Sequence, residues 1–247
     1  MSELFAERCS AVGKEAQGVI CMVTRGVAGI LVVGMVLVGV APVRGQGRDV
    51  TTMATPRGNR LRPADKGPVR SATGVPKIEL SEFRLSVTGE VDSTLSLGWE
   101  DILRLPVAYS GTILLYCVEG WEVWGNWKGV QVAHLLRSAR PRIGADYAVF
   151  HCLDGYTTCL PVAYLTKYKA LLAYEVNGKP LRPESGFPLR LVAFGKYGYK
   201  WAKWVHRIDL VKKPIKGYWE KRGYSDEANV PLERRRHYEG EAAKPLE

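Results

Sequence analysis

Five cysteines, Cys9, Cys21, Cys117, Cys152 and Cys159, are the residues here best suited to redox or metal chemistry. Their spacing contains no Cys-x-x-Cys, and the four histidines supply no zinc pattern, so neither a structural metal knot nor a disulfide framework is expected. Cys9 and Cys21 precede or enter an apolar N-terminal region, which leaves three thiols for the folded part. Cys117 sits at the end of a β-prone run, Thr112–Val118, ahead of Glu119-Gly120-Trp121. A lone cysteine is in most proteins a small core residue, and only its company can make it a ligand. Arg190 lies between Leu189 and Leu191, and an arginine in an apolar strand needs a partner. No haem-attaching Cys-x-x-Cys-His, flavin loop or iron–sulfur spacing occurs.

These residues need a scaffold, and the pattern around them predicts one. Phe83, Leu85 and Val87 alternate with polar residues, which predicts a strand. Leu97–Leu105 has helical spacing and stops at Pro106. Thr112–Val118 reads as a strand, and Val130–Ser138 as a short helix closed by Pro141. Tyr147–Cys152 is a strand turned by Asp154-Gly155, and Leu171–Val176 runs into an Asn177-Gly178 hairpin turn. Leu189–Phe194 and Trp204–Val211 complete the strands. Strands and short helices alternate without regular βαβ spacing, which predicts a mixed-sheet α+β domain over residues 78–224.

The flanks differ in composition. Residues 1–25 form an N-terminal segment, and 26–43 are an uncharged apolar stretch. As a helix that stretch would span ~27 Å, about the hydrocarbon thickness of a bilayer. It reads as a membrane helix or, if translation starts at Met22, as the core of a secretion signal ending before Gln46. Arg44, Arg48, Arg57, Arg60 and Arg62 follow it, and by the positive-inside rule would keep the domain on the cytoplasmic side. Residues 44–76 read as a flexible basic linker and 225–247 as a charged tail, frayed after Val230. Of 247 residues, 46% are hydrophobic and 24% charged, as in a globular protein with a sizeable core. The net charge of +10 comes with no helix-turn-helix, zinc-finger or RNA-binding fingerprint, so a nucleic-acid partner is not expected.

Six blocks in order carry further information. Cys117-Val118-Glu119-Gly120-Trp121 is followed by Phe150-His151-Cys152-Leu153-Asp154-Gly155-Tyr156 and then by Leu171–Gly178. Gly186-Phe187-Pro188-Leu189-Arg190, Lys196-Tyr197-Gly198-Tyr199-Lys200-Trp201-Ala202-Lys203-Trp204 and Gly217–Tyr224 complete the series. The series resembles the molybdopterin-binding domain of the sulfite-oxidase family, and within it the catalytic subunits of bacterial periplasmic methionine-sulfoxide reductases. The resemblance implies a Mo-molybdopterin cofactor with Cys117 as the one protein ligand to the metal. It further implies cofactor contacts at Cys152, Ser185, Arg190, Lys200, Trp201, Ala202 and Lys203. Arg190 would grip the terminal phosphate in two places, with Lys200 and Lys203 as point charges. Tyr156, a few residues before Leu160-Pro161, would donate a hydrogen bond at the metal. Asp154 reads more simply as a turn residue.

Two departures shape the expected chemistry. Sulfite oxidases follow the ligand cysteine with an arginine pair, whereas this chain has Glu119, Trp121 and Glu122. A carboxylate near the metal would repel sulfite, which favours oxygen-atom transfer with a small S-oxide or N-oxide. Sulfite dehydrogenation, and a non-catalytic membrane-tethered relative of the fold, are the alternatives. The methionine-sulfoxide reductases' N-terminal cofactor contacts are expected to have no counterpart in the Arg/Pro linker. The resemblance also implies a membrane electron-transfer partner, a haem protein by analogy, and a position anchored on, or exported to, the outer side of the membrane.

Overall fold

A computed structural model describes residues 61–68, 70, 71 and 74–238. The apolar stretch at 26–43, the segment before it, most of the linker and the end of the tail lie outside the described residues. Among the described residues no helix is long and apolar enough to cross a membrane.

Two mixed sheets and few helices make up the architecture, as the α+β expectation requires. In the first sheet β5 (Glu122–Gln131) is central. β4 (Val107–Tyr116) runs antiparallel along one edge of it. Its other edge is shared by β8 (Leu171–Val176), antiparallel, and the short β1 (Arg62–Pro63), parallel. β10 (Arg190–Val192) and β9 (Lys179–Pro180) extend the sheet from β8. The second sheet has the order β3 (Leu95–Gly98), β2 (Arg84–Gly89), β11 (Val205–Val211), β6 (Tyr147–Cys152), β7 (Thr157–Pro161). Helices α1 (Trp99–Leu103), α2 (Val132–Ala139) and α3 (Val162–Lys167) connect strands, and α4 (Leu232–Tyr238) follows them. One continuous apolar core contains residues of both sheets, including Leu85, Phe150 and Ile208 from the second and Trp127, Leu172 and Leu191 from the first.

β5 has no counterpart in the sequence-derived elements. Its burial alternates from Val123 to Gly129, but two of the buried positions are glycines and Trp124 stands on the more exposed face, so residue type hides the period-two pattern. Gly129 shows why glycine stands there: a Cβ would lie 2.0 Å from the Leu172 carbonyl oxygen, at the irregularity in the β5–β8 ladder. The helix expected over Leu97–Leu105 is shorter, because Leu95–Gly98 pairs with β2 instead. Its start is fixed by the Asp101 carboxylate, which accepts the Gly98 N–H at 3.0 Å.

Both flanks pack more closely than their composition suggests. Within the expected linker, Leu61 is buried and β1 docks on β5 at Val123 and Trp124. In the expected charged tail, just before the part expected to fray, Val230 is fully buried and its N–H donates to the Gly195 carbonyl at 2.9 Å. The Arg234 guanidinium pairs with the buried carboxylate of Glu122, and the Tyr116 hydroxyl donates to the Arg234 carbonyl at 3.3 Å. Charged composition misled here because its ionic groups find partners in the domain. Arg234→Ala would leave Glu122 buried without a cation. Chemical denaturation should show a loss of about 1–3 kcal/mol, below the range for a fully buried pair because Arg234 keeps 30% of its side chain in solvent.

Candidate functional site

Cys117 occupies the tip of the β4–β5 hairpin. Its N–H donates to the Trp121 carbonyl at 2.9 Å, and the Gly120 N–H returns to the Cys117 carbonyl at 3.1 Å. Gly120 has φ +87°, a left-handed conformation that closes the turn without Cβ strain. The buried side chains of Leu114, Leu115 and Tyr116 anchor the strand that leads into it. Backbone position is thus fixed while the thiol stays half-exposed, with the Glu119 N–H 3.5 Å from its sulfur. Burial pushes the Cys117 thiol pKa up, against a smaller lowering by that N–H. Nucleophilic cysteines have the opposite shift. A thiol of this kind becomes a thiolate when a metal takes the proton's place.

Cys117 opens onto a cavity of about 390 Å³, and the other wall is built from 184–203. Arg190, the first residue of β10, donates from Nη1 to the Ser185 carbonyl at 3.0 Å. Its Nε is buried and has no hydrogen-bond partner among the described residues. Its Cζ lies 5.5 Å from the centre of the Trp127 ring, and burial pushes its pKa down to about 10. Lys203 donates to the Glu184 carbonyl at 2.9 Å and sits 4.2 Å from the Trp204 ring centre. Burial, and then the neighbouring Arg190 charge, push Lys203 down to about 7. Neither cation forms an ion pair among the described residues. Two adjacent cations with unspent donors, facing a cavity, make an anion site. Trp201 and Ala202 line the same wall, held in place by the Leu191 N–H to the Ala202 carbonyl at 2.8 Å and the Trp201 Nε1–H to the Lys196 carbonyl at 3.1 Å.

Seven of the expected residues, Cys117, Tyr156, Ser185, Arg190, Trp201, Ala202 and Lys203, therefore share one cavity. Two do not reach it. Cys152 is buried behind the wall, with its thiol against the Lys203 backbone. Lys200 is 1% exposed and its ammonium is taken by the Glu220 carboxylate and the Cys159 carbonyl, which corrects its assignment as a phosphate contact. Tyr156 lines the cavity, but its hydroxyl donates to the Tyr199 carbonyl. That single proton is given to the protein here, so donating at the metal, as the resemblance implies, would require it to leave the Tyr199 carbonyl. Asp154 makes the expected turn contact, accepting the Tyr156 N–H at 3.1 Å, and also lines the cavity.

The linker supplies what composition did not reveal. Pro68, Arg70 and Ser71 line the cavity. Arg70 grips Glu119 twice, Nε to Oε1 at 3.2 Å and Nη2 to Oε2 at 2.9 Å, and the Trp121 indole N–H donates to Oε2 at 2.9 Å. These contacts lower the Glu119 pKa, with Arg70 the main cause. Glu119 is thus a paired carboxylate, not the lone negative charge expected. Tyr199, Trp219 and Tyr224 complete an aromatic wall that sequence reasoning left without a role.

A soft sulfur donor and an anion-binding pair of cations in one cavity fit a metal-bearing, phosphate-tailed cofactor. Comparison with known proteins agrees with this geometry. The model of the oxidoreductase molybdopterin-binding domain matches residues 72–219. The chain is 38% identical to an uncharacterised oxidoreductase, YuiH, of Bacillus subtilis, over 64% of this chain and 80% of YuiH. It is 28% identical to the protein-methionine-sulfoxide reductase catalytic subunit MsrP of Campylobacter jejuni, over 56% of this chain and 52% of that one. Mouse mitochondrial sulfite oxidase is 28% identical over 63% of this chain, which spans only 34% of the mouse protein. The sulfane dehydrogenase SoxCD of Paracoccus pantotrophus has a similar fold, with a TM-score of 0.57 and 24% identity, covering 60% of this chain and 42% of that one. With its fold, its cavity and a family match across most of the described residues, the chain belongs to the oxidoreductase molybdopterin-binding domain family.

Proposed function

We propose that this chain carries out oxygen-atom transfer, reducing a small uncharged S-oxide or N-oxide at a molybdenum ligated by Cys117. The charge balance of the cavity carries this reading. Its lining holds three cations, Arg70, Arg190 and Lys203, and three carboxylates, Glu119, Asp154 and Glu184. Arg190 and Lys203 are taken by the cofactor's phosphate, and the Trp201–Ala202 backbone and Ser185 line the groove beside them. Near Cys117 the charged side chains are Arg70 and Glu119, already bound to each other. A dianion there would have to break that pair, whereas a neutral oxide need not. When bound, the cofactor supplies a metal that exchanges one oxygen atom together with two electrons.

The remaining roles fall to the chain's own residues. Cys117 is held by the hairpin turn with its sulfur at the cavity, where it would be the chain's ligand to the metal. The Glu119–Arg70–Trp121 contacts brace that turn and tie residues 68–71 across the cavity. Trp121, Trp219, Tyr199 and Tyr224 exclude water and give an oxide's organic part an apolar surface. Electrons come from a separate protein, for which we propose a membrane haem partner reached through the N-terminal apolar stretch, with the domain on the outer side. The name of MsrP, a catalytic subunit, supports such a division of labour.

Three outcomes are expected. Lys203 at about 7 carries a positive charge only below neutrality. Calorimetric titration of cofactor-free protein with sulfate, whose charge is constant over this range, should therefore show affinity about tenfold weaker at pH 8 than at pH 6. Lys203→Met should abolish that dependence. Because the folded pKa lies below the unfolded one, Lys203 binds fewer protons when folded, so its own effect on stability is unfavourable below about 7 and eases as pH rises from there to 10.5.

Cys117→Ser should keep the fold, by circular dichroism, but lose or grossly alter the Mo(V) resonance, because a hydroxyl is a harder and poorer donor than thiolate. An unchanged signal would remove Cys117 from the metal.

Reduced holoprotein should be reoxidised by methyl phenyl sulfoxide or trimethylamine N-oxide at least about tenfold faster than oxidised holoprotein is reduced by sulfite, followed in single turnover by absorbance. The reverse ranking would make the chain a sulfite dehydrogenase.

A further inference from the structure

Lys200 and Glu220 form an ion pair almost wholly removed from solvent, with 2% and 1% of their side chains exposed. The Lys200 ammonium also donates to the Cys159 carbonyl at 3.0 Å, and Glu220 Oε1 accepts from the Thr158 hydroxyl at 3.0 Å, both on β7. Neither residue lines the cavity, yet each is next in sequence to residues that do: Tyr199 and Trp201 flank Lys200, and Trp219 precedes Glu220. The segment that carries Trp219 and Tyr224 crosses β7 closely. The Tyr218 N–H donates to the Thr157 carbonyl at 2.9 Å, and at Gly217 a Cβ would lie 2.4 Å from that oxygen and 2.8 Å from Glu220 Oε2. The Tyr199 hydroxyl also ties the two segments, donating to the Ser225 carbonyl at 2.8 Å, and beyond it the Tyr197 N–H donates to the Ala228 carbonyl at 2.8 Å. The rings themselves meet at 5.3 Å for Tyr199–Tyr224 and 5.0 Å for Trp219–Tyr224.

A buried ion pair adds little net stability over apolar side chains of similar size, since desolvation offsets the attraction. Its distinctive contribution is direction: the ammonium and carboxylate meet in few geometries, whereas two apolar chains can slide. We propose that the Lys200–Glu220 pair is the positioning element of the aromatic wall, locking Tyr199, Trp219 and Tyr224 into the arrangement that receives the oxide in the cavity of Cys117. This rests on the oxygen-atom-transfer reading above. The pair touches neither substrate nor cofactor and acts through its neighbours in sequence.

Removing one partner strands a charge in the core and can unfold the chain, so the informative variant is Lys200→Met/Glu220→Leu in the holoenzyme. Molybdenum and pterin content and the Mo(V) resonance should match wild type. With methyl phenyl sulfoxide as probe, KM should rise about tenfold or more while kcat stays within about threefold. Hydrogen exchange should speed up at the amides of Tyr218, Arg222 and Gly223 and remain slow in β5 and β8. Wild-type exchange in residues 217–224, or an unmoved KM, would overturn the proposal. So would a joint collapse of cofactor content, kcat and KM, which would make the pair a general stabiliser. If wild type does not reduce the sulfoxide, the oxygen-atom-transfer reading fails separately, and the exchange pattern alone decides whether the pair holds the wall.

Discussion

Arg190 and Lys203 stand side by side in the wall of the cavity without an ion-pair partner among the described residues, and the surrounding structure is arranged to hold them there. Burying two like charges is unfavourable, and the protein meets the cost in parts. Arg190 gives one N–H to the Ser185 carbonyl and lays its guanidinium near the Trp127 ring. Lys203 gives one to the Glu184 carbonyl, rests on Trp204, and releases its proton near neutrality. What is left over, including the unpartnered Nε of Arg190, is donor capacity that an anion can fill. On the proposed reading a molybdopterin phosphate would supply that anion, and its binding would stabilise the fold.

Two hairpins and two buried ion pairs set the geometry around this site. The β4–β5 hairpin presents Cys117 at its tip, and β5 is held along both edges, so the tip has little freedom. Glu122, at the first position of β5, is paired with Arg234 from the far end of the described chain. Lys200 and Glu220 tie the aromatic segments to β7, which hairpins with β6. In each case a charged residue that would ordinarily sit in solvent is drawn inside to fix a loop beside the cavity.

The surroundings of Cys117 change the basis for the choice of substrate. Glu119 alone would argue against an anion by repulsion. Bound to Arg70 and to the Trp121 indole, it instead leaves the Cys117 end of the cavity close to neutral, which is the basis on which we propose a neutral oxide over sulfite. Relatives named for sulfite oxidation and for methionine-sulfoxide reduction share this domain, so the fold is compatible with both directions of oxygen transfer. What separates them lies in a few side chains around the cavity.

Local sequence was enough for the residues that act where they stand. The β-run before Cys117, the turn at Asp154-Gly155, the Asn177-Gly178 hairpin and the apolar neighbours of Arg190 each follow from nearest-neighbour preferences, and the corresponding elements are present. Ordered blocks also sufficed for the family, because a cofactor that touches many segments leaves a mark in each. Sequence could not reveal contacts between distant segments. β5 escaped because glycines at 125 and 129 occupy its buried face while Trp124 occupies the other, and Arg70 because nothing local distinguishes it from the other arginines of a basic stretch. Lys200 was misread because a lysine's partner, here Glu220 twenty residues on, is decided only when two loops meet on β7. Tyr156 reached the expected cavity, but its hydroxyl went to Tyr199, forty-three residues away. Residue type and spacing determine which groups are available, whereas tertiary packing decides which are already spent on the protein and which remain free for chemistry.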